Sequence, residues 1–140
     1  MPAVTFHVYE GFGQYAKENL HFSQAVRIGD RVEISGQGGW KANTLPPTLS
    51  DSLEEQIDQA FSNIDLAMRA AGGNGISQVY RISSYHARLS ATPETMEIMT
   101  KALAKWFPDY CPIWTAVGVE ALGLSEMMVE IEAVAYDPKE

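Results

Sequence analysis

Apolar residues recur at helical spacing in two segments of the chain. From Leu53 to Ala71 they repeat every three or four positions, which lines one face of a helix. Ser52 and Glu55 form a capping box at the start of this segment, and Gly72-Gly73 supplies its end. A second amphipathic helix is predicted to begin at Thr92-Pro93-Glu94, where the threonine caps the helix and the proline fits its first turn.

Other segments alternate apolar and polar residues, as strands with one buried face do. Residues 25–28 and 31–35 flank Gly29-Asp30 and predict a hairpin. Residues 14–24 are polar and predict irregular structure. The remaining strands are predicted at residues 5–9, 78–88, 114–121 and 127–136. In the last of them, one face would carry Val129, Ile131, Ala133 and Ala135, and the other Glu130, Glu132, Val134 and Tyr136.

The resulting order, β-β-β-α-β-α-β-β, is typical of the α+β class. A single mixed sheet with both helices packed on one face would bury the apolar stripes of the helices. The other face of the sheet must then be solvated or covered by a partner, which favours an oligomer. The chain has 140 residues, with no internal repeat or linker, so residues 1–140 are predicted to form one domain.

The charge of the chain argues against nucleic-acid binding, which draws on basic patches. Ten basic residues are scattered among eighteen acidic ones, and the formal net charge is -8. No apolar stretch approaches the ~20 residues of a membrane span, and the N-terminus lacks the pattern of a signal peptide. A lone cysteine, Cys111, excludes an internal disulfide and fits a reducing compartment. We therefore expect a cytoplasmic protein with no membrane or nucleic-acid partner.

The sequence predicts neither a metal site nor another cofactor. His7, His21 and His86 lack the spacing of metal ligands, and there is no cysteine pair. The glycines at 36–39 follow a strand but open a proline-containing loop rather than a helix, so they do not form a phosphate loop.

Three segments, in this order along the chain, resemble the YjgF/Rid (L-PSP) family. They are FSQAVRIGD running into ISGQ at residues 22–37, the helix from 54 to 72, and TAVGV with VEIEAVA at residues 115–119 and 129–135. The resemblance implies a chorismate-mutase-like fold, a homotrimer, and small-molecule clefts between neighbouring subunits. It also implies a chemistry, since many members hydrolyse reactive imines and enamines to ammonia and a keto acid.

Two positions decide what the resemblance implies about catalysis. Glu130 matches the family glutamate that positions a water, although alternating glutamates are common on exposed strand faces and spacing alone favours a solvated residue. Trp114 stands where active deaminases of the family carry an arginine for the substrate carboxylate, so hydrolysis of 2-imino acids is in doubt. Trp114 would either fill the old cleft or form an aromatic-binding wall with one N–H donor. Thr115, the next residue, could offer backbone groups to a ligand.

The other positions that match the family's cleft have mostly lost their polar groups. Ser35 and Gly36 match the cleft floor, where glycine permits close approach of the backbone. Phe22 falls where many members carry a tyrosine, and Ala116 where some carry a cysteine. Thr100 falls near a position often held by asparagine.

These matches support three hypotheses about function. The first is an enzyme for a reactive imine, enamine or related metabolite, with Glu130 directing a water or a proton in hydrolysis or tautomerisation. The second is a non-catalytic trimer that binds a metabolite or a partner protein at the same cleft. The third is ribonuclease activity, reflected in the family name, which the acidic charge and the missing arginine make the least favoured.

Overall fold

A computed structural model of the chain, which describes residues 3–87 and 92–139, contains one six-stranded mixed sheet with helices packed against it. The strand order is β1-β2-β3-β6-β4-β5. A 3-10 turn, Ile76–Gln78, precedes β4. The elements are, in chain order, β1 (Val4–His7), α1 (Phe12–Leu20), β2 (Ala25–Ile28), β3 (Arg31–Gly38), α2 (Leu53–Ala70), β4 (Val79–Ala87), α3 (Pro93–Trp106), β5 (Ile113–Val119) and β6 (Val129–Tyr136).

The two helices predicted from periodicity, α2 and α3, are confirmed. Ser52 accepts a hydrogen bond from the Glu55 backbone N–H, as the capping box requires. Thr92 caps α3 in the same way. The apolar face of α2 packs against β3 and β6, and α3 packs against α2. The predicted single mixed sheet with α2 and α3 on one face is therefore confirmed, and no helix in the described ranges is long and apolar enough to span a membrane.

The prediction that residues 14–24 are irregular is wrong for residues 14–20, which belong to α1, and is confirmed for residues 21–24. Only Phe12 and Ala16 supply buried apolar side chains, so the periodic signal is weak. Tertiary contacts fix this helix instead. The Phe12 N–H donates to the Ala42 carbonyl at 2.7 Å. Gly11 precedes it with a φ of 78°, where a Cβ would collide with the backbone of Ala42.

The pairing of the strands confirms the predicted hairpin and the two faces of β6. β2 and β3 pair antiparallel around Gly29-Asp30. β6 lies between β3 and β4, antiparallel to both, whereas β5 pairs parallel to β4 at the edge of the sheet. β6 buries Val129, Ile131, Ala133 and Ala135 and turns the alternate residues to the other face. Arg88, included in the predicted strand 78–88, lies outside the described residues.

A cluster of charged and polar groups ties the C-terminal end of β6 to the end of α2. Asp137 is buried and accepts hydrogen bonds from Arg27 Nη2 at 2.5 Å and from Gln78 Nε2 at 2.7 Å. Arg27 Nε also donates to the Ala71 carbonyl at 3.0 Å, and Lys139 Nζ lies 3.1 Å from Asp137 Oδ2. Burial raises the pKa of Asp137, but the hydrogen bonds from Arg27, Lys139 and Gln78 outweigh burial and lower it.

Candidate functional site

Glu130 lies near the start of β6, the strand between β3 and β4, on the face of the sheet turned away from α2. We call this face the Glu130 face. The Glu130 side chain is half-buried. Its neighbours on the adjacent strands are Gly38 of β3 and Tyr85 of β4. Around it, the Glu130 face carries Glu33 and Ser35 of β3, Arg81, Ser83 and Tyr85 of β4, and Glu132 of β6.

The structure brings Glu130 and Gly36, two of the residues that the resemblance assigns to the cleft, into direct contact. An irregularity in the β3–β6 register between Ile34 and Gln37 holds Ser35 and Gly36. A Cβ placed on Gly36 would lie only 2.7 Å from Glu130 Cδ, so the carboxylate rests on the glycine backbone. Only glycine leaves room for this arrangement.

The surroundings of Glu130 favour its protonated form more than water does. Burial, first, and the nearby charge of Glu132, second, raise the pKa of Glu130 above its usual range. A carboxylate with a raised pKa is a stronger base once ionised, and such groups are concentrated at functional sites.

Tyr85 and Glu132 are a second pair on the Glu130 face that the sequence did not single out. The Tyr85 hydroxyl donates to Glu132 Oε1 at 2.6 Å. This hydrogen bond, then burial, then the charges of Glu132 and Glu130 raise the pKa of Tyr85. The alternation of apolar and polar residues along β4 could have indicated that Tyr85 lies on this face. The pairing with Glu132 depends on the β4–β6 register, which only the folded chain shows.

Two cavities open onto the Glu130 face. One of about 290 Å³ is lined by Phe6, Ser35, Glu33 and Glu132 among others. The other, of about 320 Å³, is lined by Glu33, Arg81, Ser83, Tyr85 and Glu132 among others. Both are large enough for a small metabolite.

Trp114 lies on the opposite face of the sheet from Glu130. In the parallel β4–β5 register it pairs with the buried Ile82, so its side chain shares the core side. Its Nε1–H donates to the buried Ser84 hydroxyl at 2.8 Å, and Ser84 Oγ lies 2.8 Å from His86 Nε2. The indole N–H expected to be free for a ligand is therefore already bonded. Within one chain, Trp114 and Glu130 do not share a pocket.

The remaining predicted site residues are dispersed. Thr115, on the edge strand, pairs with Ser83 and belongs to the Glu130 face, whereas Ala116 points to the other side. Phe22 is exposed beyond the end of α1. Thr100 lies on the exposed side of α3, across the sheet from Glu130, and donates its hydroxyl to the Met96 carbonyl at 2.8 Å.

No group of three or more histidine, cysteine, aspartate or glutamate residues in the described ranges is arranged to hold a metal ion. The side chains on the Glu130 face supply carboxylates, a phenol, serine hydroxyls and a guanidinium.

Both the sequence and the structure of the chain are similar to those of known proteins. The sequence model of the family described as Endoribonuclease L-PSP matches residues 15–137. The RutC family protein YjgH of Escherichia coli (strain K12) is 30% identical over 121 residues, which cover 85% of each chain. A 2-iminobutanoate/2-iminopropanoate deaminase of Dermatophagoides farinae is 27% identical over 113 residues, covering 81% of this chain and 83% of that one. A solved structure of protein YJGH superposes with a TM-score of 0.80 at 26% identity, covering 99% of this chain and all of the other.

Proposed function

Because this chain belongs to the Endoribonuclease L-PSP family, also called YjgF/Rid, we propose that it is a small-molecule enzyme acting on a reactive imine or enamine. The observation that carries the proposal is Glu130, half-buried against Gly36 and with a raised pKa. A cavity of about 320 Å³ on the same face is lined by its cross-strand neighbour Tyr85 and by Glu132. The similarity to an imine deaminase supports the same class of chemistry.

In this proposal Glu130 activates a water. The ionised carboxylate takes a proton from the water as the water oxygen adds to the carbon of the C=N bond, and it then passes that proton to the nitrogen. In the resulting carbinolamine the hydroxyl proton moves, through the same carboxylate, to the amine as the C–N bond breaks, which releases ammonia and leaves a carbonyl product. In a tautomerisation the same carboxylate would instead carry a proton between carbon and nitrogen.

We propose that Ser35, Gly36 and Thr115 shape the cleft, and that a second copy of the chain completes it. The edge strand β5 contains no charged residue, and Ile113 and Val117 on its Glu130-face side are exposed. Phe6 and Tyr136, also on this face, are 68% and 59% exposed. Uncharged edges and apolar patches are usually covered by a partner. A homotrimer would cover them and would let Trp114 or Phe22 of a neighbouring subunit reach the cleft.

The alternative of a non-catalytic binding trimer rests on Trp114. It replaces the family arginine, and its only N–H is already given to Ser84. Ribonuclease activity is disfavoured, because Glu33, Glu130 and Glu132 on one face would repel the phosphates of RNA.

The test is hydrolysis of freshly generated 2-imino acids with apolar, aromatic and acidic side chains. We expect wild-type turnover and, in Glu130→Gln, a fall in kcat of about 100-fold or more, since the amide cannot accept the proton. Glu97→Gln, on the exposed side of α3, is the matched control and should retain wild-type activity. Light scattering of all three proteins checks that the oligomer is unchanged.

Equal turnover by wild type and Glu130→Gln would show that Glu130 is not the catalytic residue. Ligand binding by the wild type with no turnover of any imine would favour the binding trimer.

A further inference from the structure

We propose that Arg81 is the residue that binds the substrate's carboxylate on the Glu130 face, a role that Trp114 cannot take. The assignment rests on the proposed function for its chemistry, since it concerns the same cleft. It stands on three observations: a bulge that turns Arg81 to this face, the absence of a competing ion pair, and the composition of the cavity.

The bulge lies between Val79 and Arg81 in the β4–β6 pairing. Val79 is buried in the core, so regular alternation would also turn Arg81 into the core. The extra residue, Tyr80, shifts the pattern by one, and Arg81 pairs with Val134 on the Glu130 face instead. Bulges commonly re-aim side chains next to functional sites.

Arg81 is exposed and is in none of the ion pairs formed within residues 3–87 and 92–139. Three other arginines are each paired with an acid: Arg27 with Asp137 at 2.5 Å, Arg31 with Glu33 at 3.2 Å and Arg69 with Asp65 at 2.9 Å. Arg81 has no such partner among the described residues, even though Glu33 and Glu132 line the same cavity. An unpaired guanidinium can grip both oxygens of a ligand carboxylate.

The cavity suits a ligand that carries a carboxylate at one end and a nitrogen with a hydrogen at the other. Glu33 lies level with Arg81 across Val134, but it is paired with Arg31 at 3.2 Å, so the acidic end is that of Glu132 and Glu130. Along β6, the cross-strand partners run from Val134 beside Arg81, through Glu132, to Glu130. Arg81 and Tyr85, which faces Glu130, are four residues apart, or about 13 Å along the strand. The long side chain of Arg81 covers part of that distance. A small 2-imino acid would fill the rest, with its carboxylate on Arg81 and its C=N group toward the acidic end.

The test uses pyruvate, the product expected from 2-iminopropanoate, and its uncharged amide, pyruvamide, as probes of binding to the whole protein. In Arg81→Met we expect the Kd for pyruvate to rise about tenfold or more, the range of a lost charge-assisted hydrogen bond. Arg81→Lys keeps the positive charge but loses the planar guanidinium group. Its Kd for pyruvate should lie between the values of Arg81→Met and wild type. The affinity for pyruvamide should be unchanged in both.

Arg69→Met is the matched control, because it removes the same charge from the surface of α2 and should leave pyruvate binding unchanged. A second measurement needs no variant: in the wild type, the Nε–H resonance of Arg81 should shift on adding pyruvate and not on adding pyruvamide.

The assignment is overturned if wild type does not bind pyruvate, or if Arg81→Met binds it as tightly as Arg69→Met does. Two further outcomes distinguish a failure of the proposed function from a failure of the Arg81 assignment. Arg81-dependent binding of pyruvate without turnover of any imine would keep the assignment and refute catalysis. Imine turnover with the same KM in wild type and Arg81→Met would keep catalysis and refute the assignment.

Discussion

Two carboxylates at opposite ends of β6 show how the same group serves structure in one place and reactivity in another. Asp137 is surrounded by donors from Arg27, Gln78 and Lys139, and its pKa is lowered although burial opposes this. Glu130 has burial and a second carboxylate around it, and its pKa is raised. The hydrogen-bond partners of Asp137 keep it in its charged form, whereas the charge of Glu130 is poorly compensated.

The two carboxylates therefore link folding to pH with opposite signs. A lowered pKa in the folded state means that Asp137 contributes stability above its unfolded pKa, and that this contribution is lost as the pH falls through its folded pKa. A raised pKa means that ionising Glu130 costs stability as the pH rises through its folded pKa. Lowering the pH should therefore weaken the Asp137 cluster. At Glu130 it should instead remove the cost of keeping a half-buried carboxylate ionised.

The largest effect should come from removing the structural carboxylate. Asp137→Ala leaves the mostly buried Arg27 without its partner, and we expect a loss of about 3 kcal/mol in the free energy of unfolding near neutral pH. Urea denaturation measures it. The difference from wild type should shrink as the pH falls, because the wild-type cluster is itself being protonated.

Glu97→Ala is the control for this substitution, since Glu97 is exposed and lies 3.9 Å from Lys101. It should barely change the urea midpoint. A midpoint for Asp137→Ala that matched this control would mean that the cluster does not hold β6 to α2.

An intermediate effect is expected from disturbing the position of Glu130 without touching its charge. In Gly36→Ala the new methyl group would lie 2.7 Å from Glu130 Cδ and push the carboxylate aside. We expect imine turnover to fall about tenfold, because small displacements of a catalytic group are costly.

Gly123→Ala is the control for this change, because a Cβ there meets nothing within 4 Å. Its activity should equal that of wild type. Full activity in Gly36→Ala would show that Glu130 can act from a displaced position, which would remove the reason for a glycine at residue 36.

The regular elements could be predicted from the sequence because their signals are local. The apolar stripe of α2 and the alternation of β6 are written in consecutive residues, and both are confirmed. The helix α1 was missed because its position depends on contacts with Ala42, which lies 30 residues away from Phe12 along the chain.

The candidate site also has a part that the sequence could indicate and a part that depends on contacts between distant segments. Gly36 and Glu130, which the resemblance to the family assigns to one cleft, are in contact. The side of the sheet taken by Trp114 depends on the parallel register of β4 and β5, and that of Arg81 on a bulge between β4 and β6. Registers and bulges are set by pairing between distant segments, and a single sequence does not reveal them.

The smallest effect should separate the two causes of the raised pKa of Glu130. Glu132→Gln removes the neighbouring charge, so the pKa of Glu130 should fall, yet it should stay above its usual range because burial, the larger cause, remains. The acid limb of kcat/KM should move to lower pH. The pKa of Tyr85 should fall as well, since its hydroxyl then faces a neutral amide oxygen in place of the charged carboxylate of Glu132.

Tyr85→Phe sharpens this test. It removes the phenol and keeps the charge of Glu132, so the acid limb should stay where it is in wild type. The two substitutions are expected to differ because the pKa of Glu130 responds to charge and burial rather than to the hydrogen bond between its neighbours. An acid limb that did not move in Glu132→Gln would show that the charge of Glu132 does not raise the pKa of Glu130. Burial alone would then account for the raised pKa of Glu130.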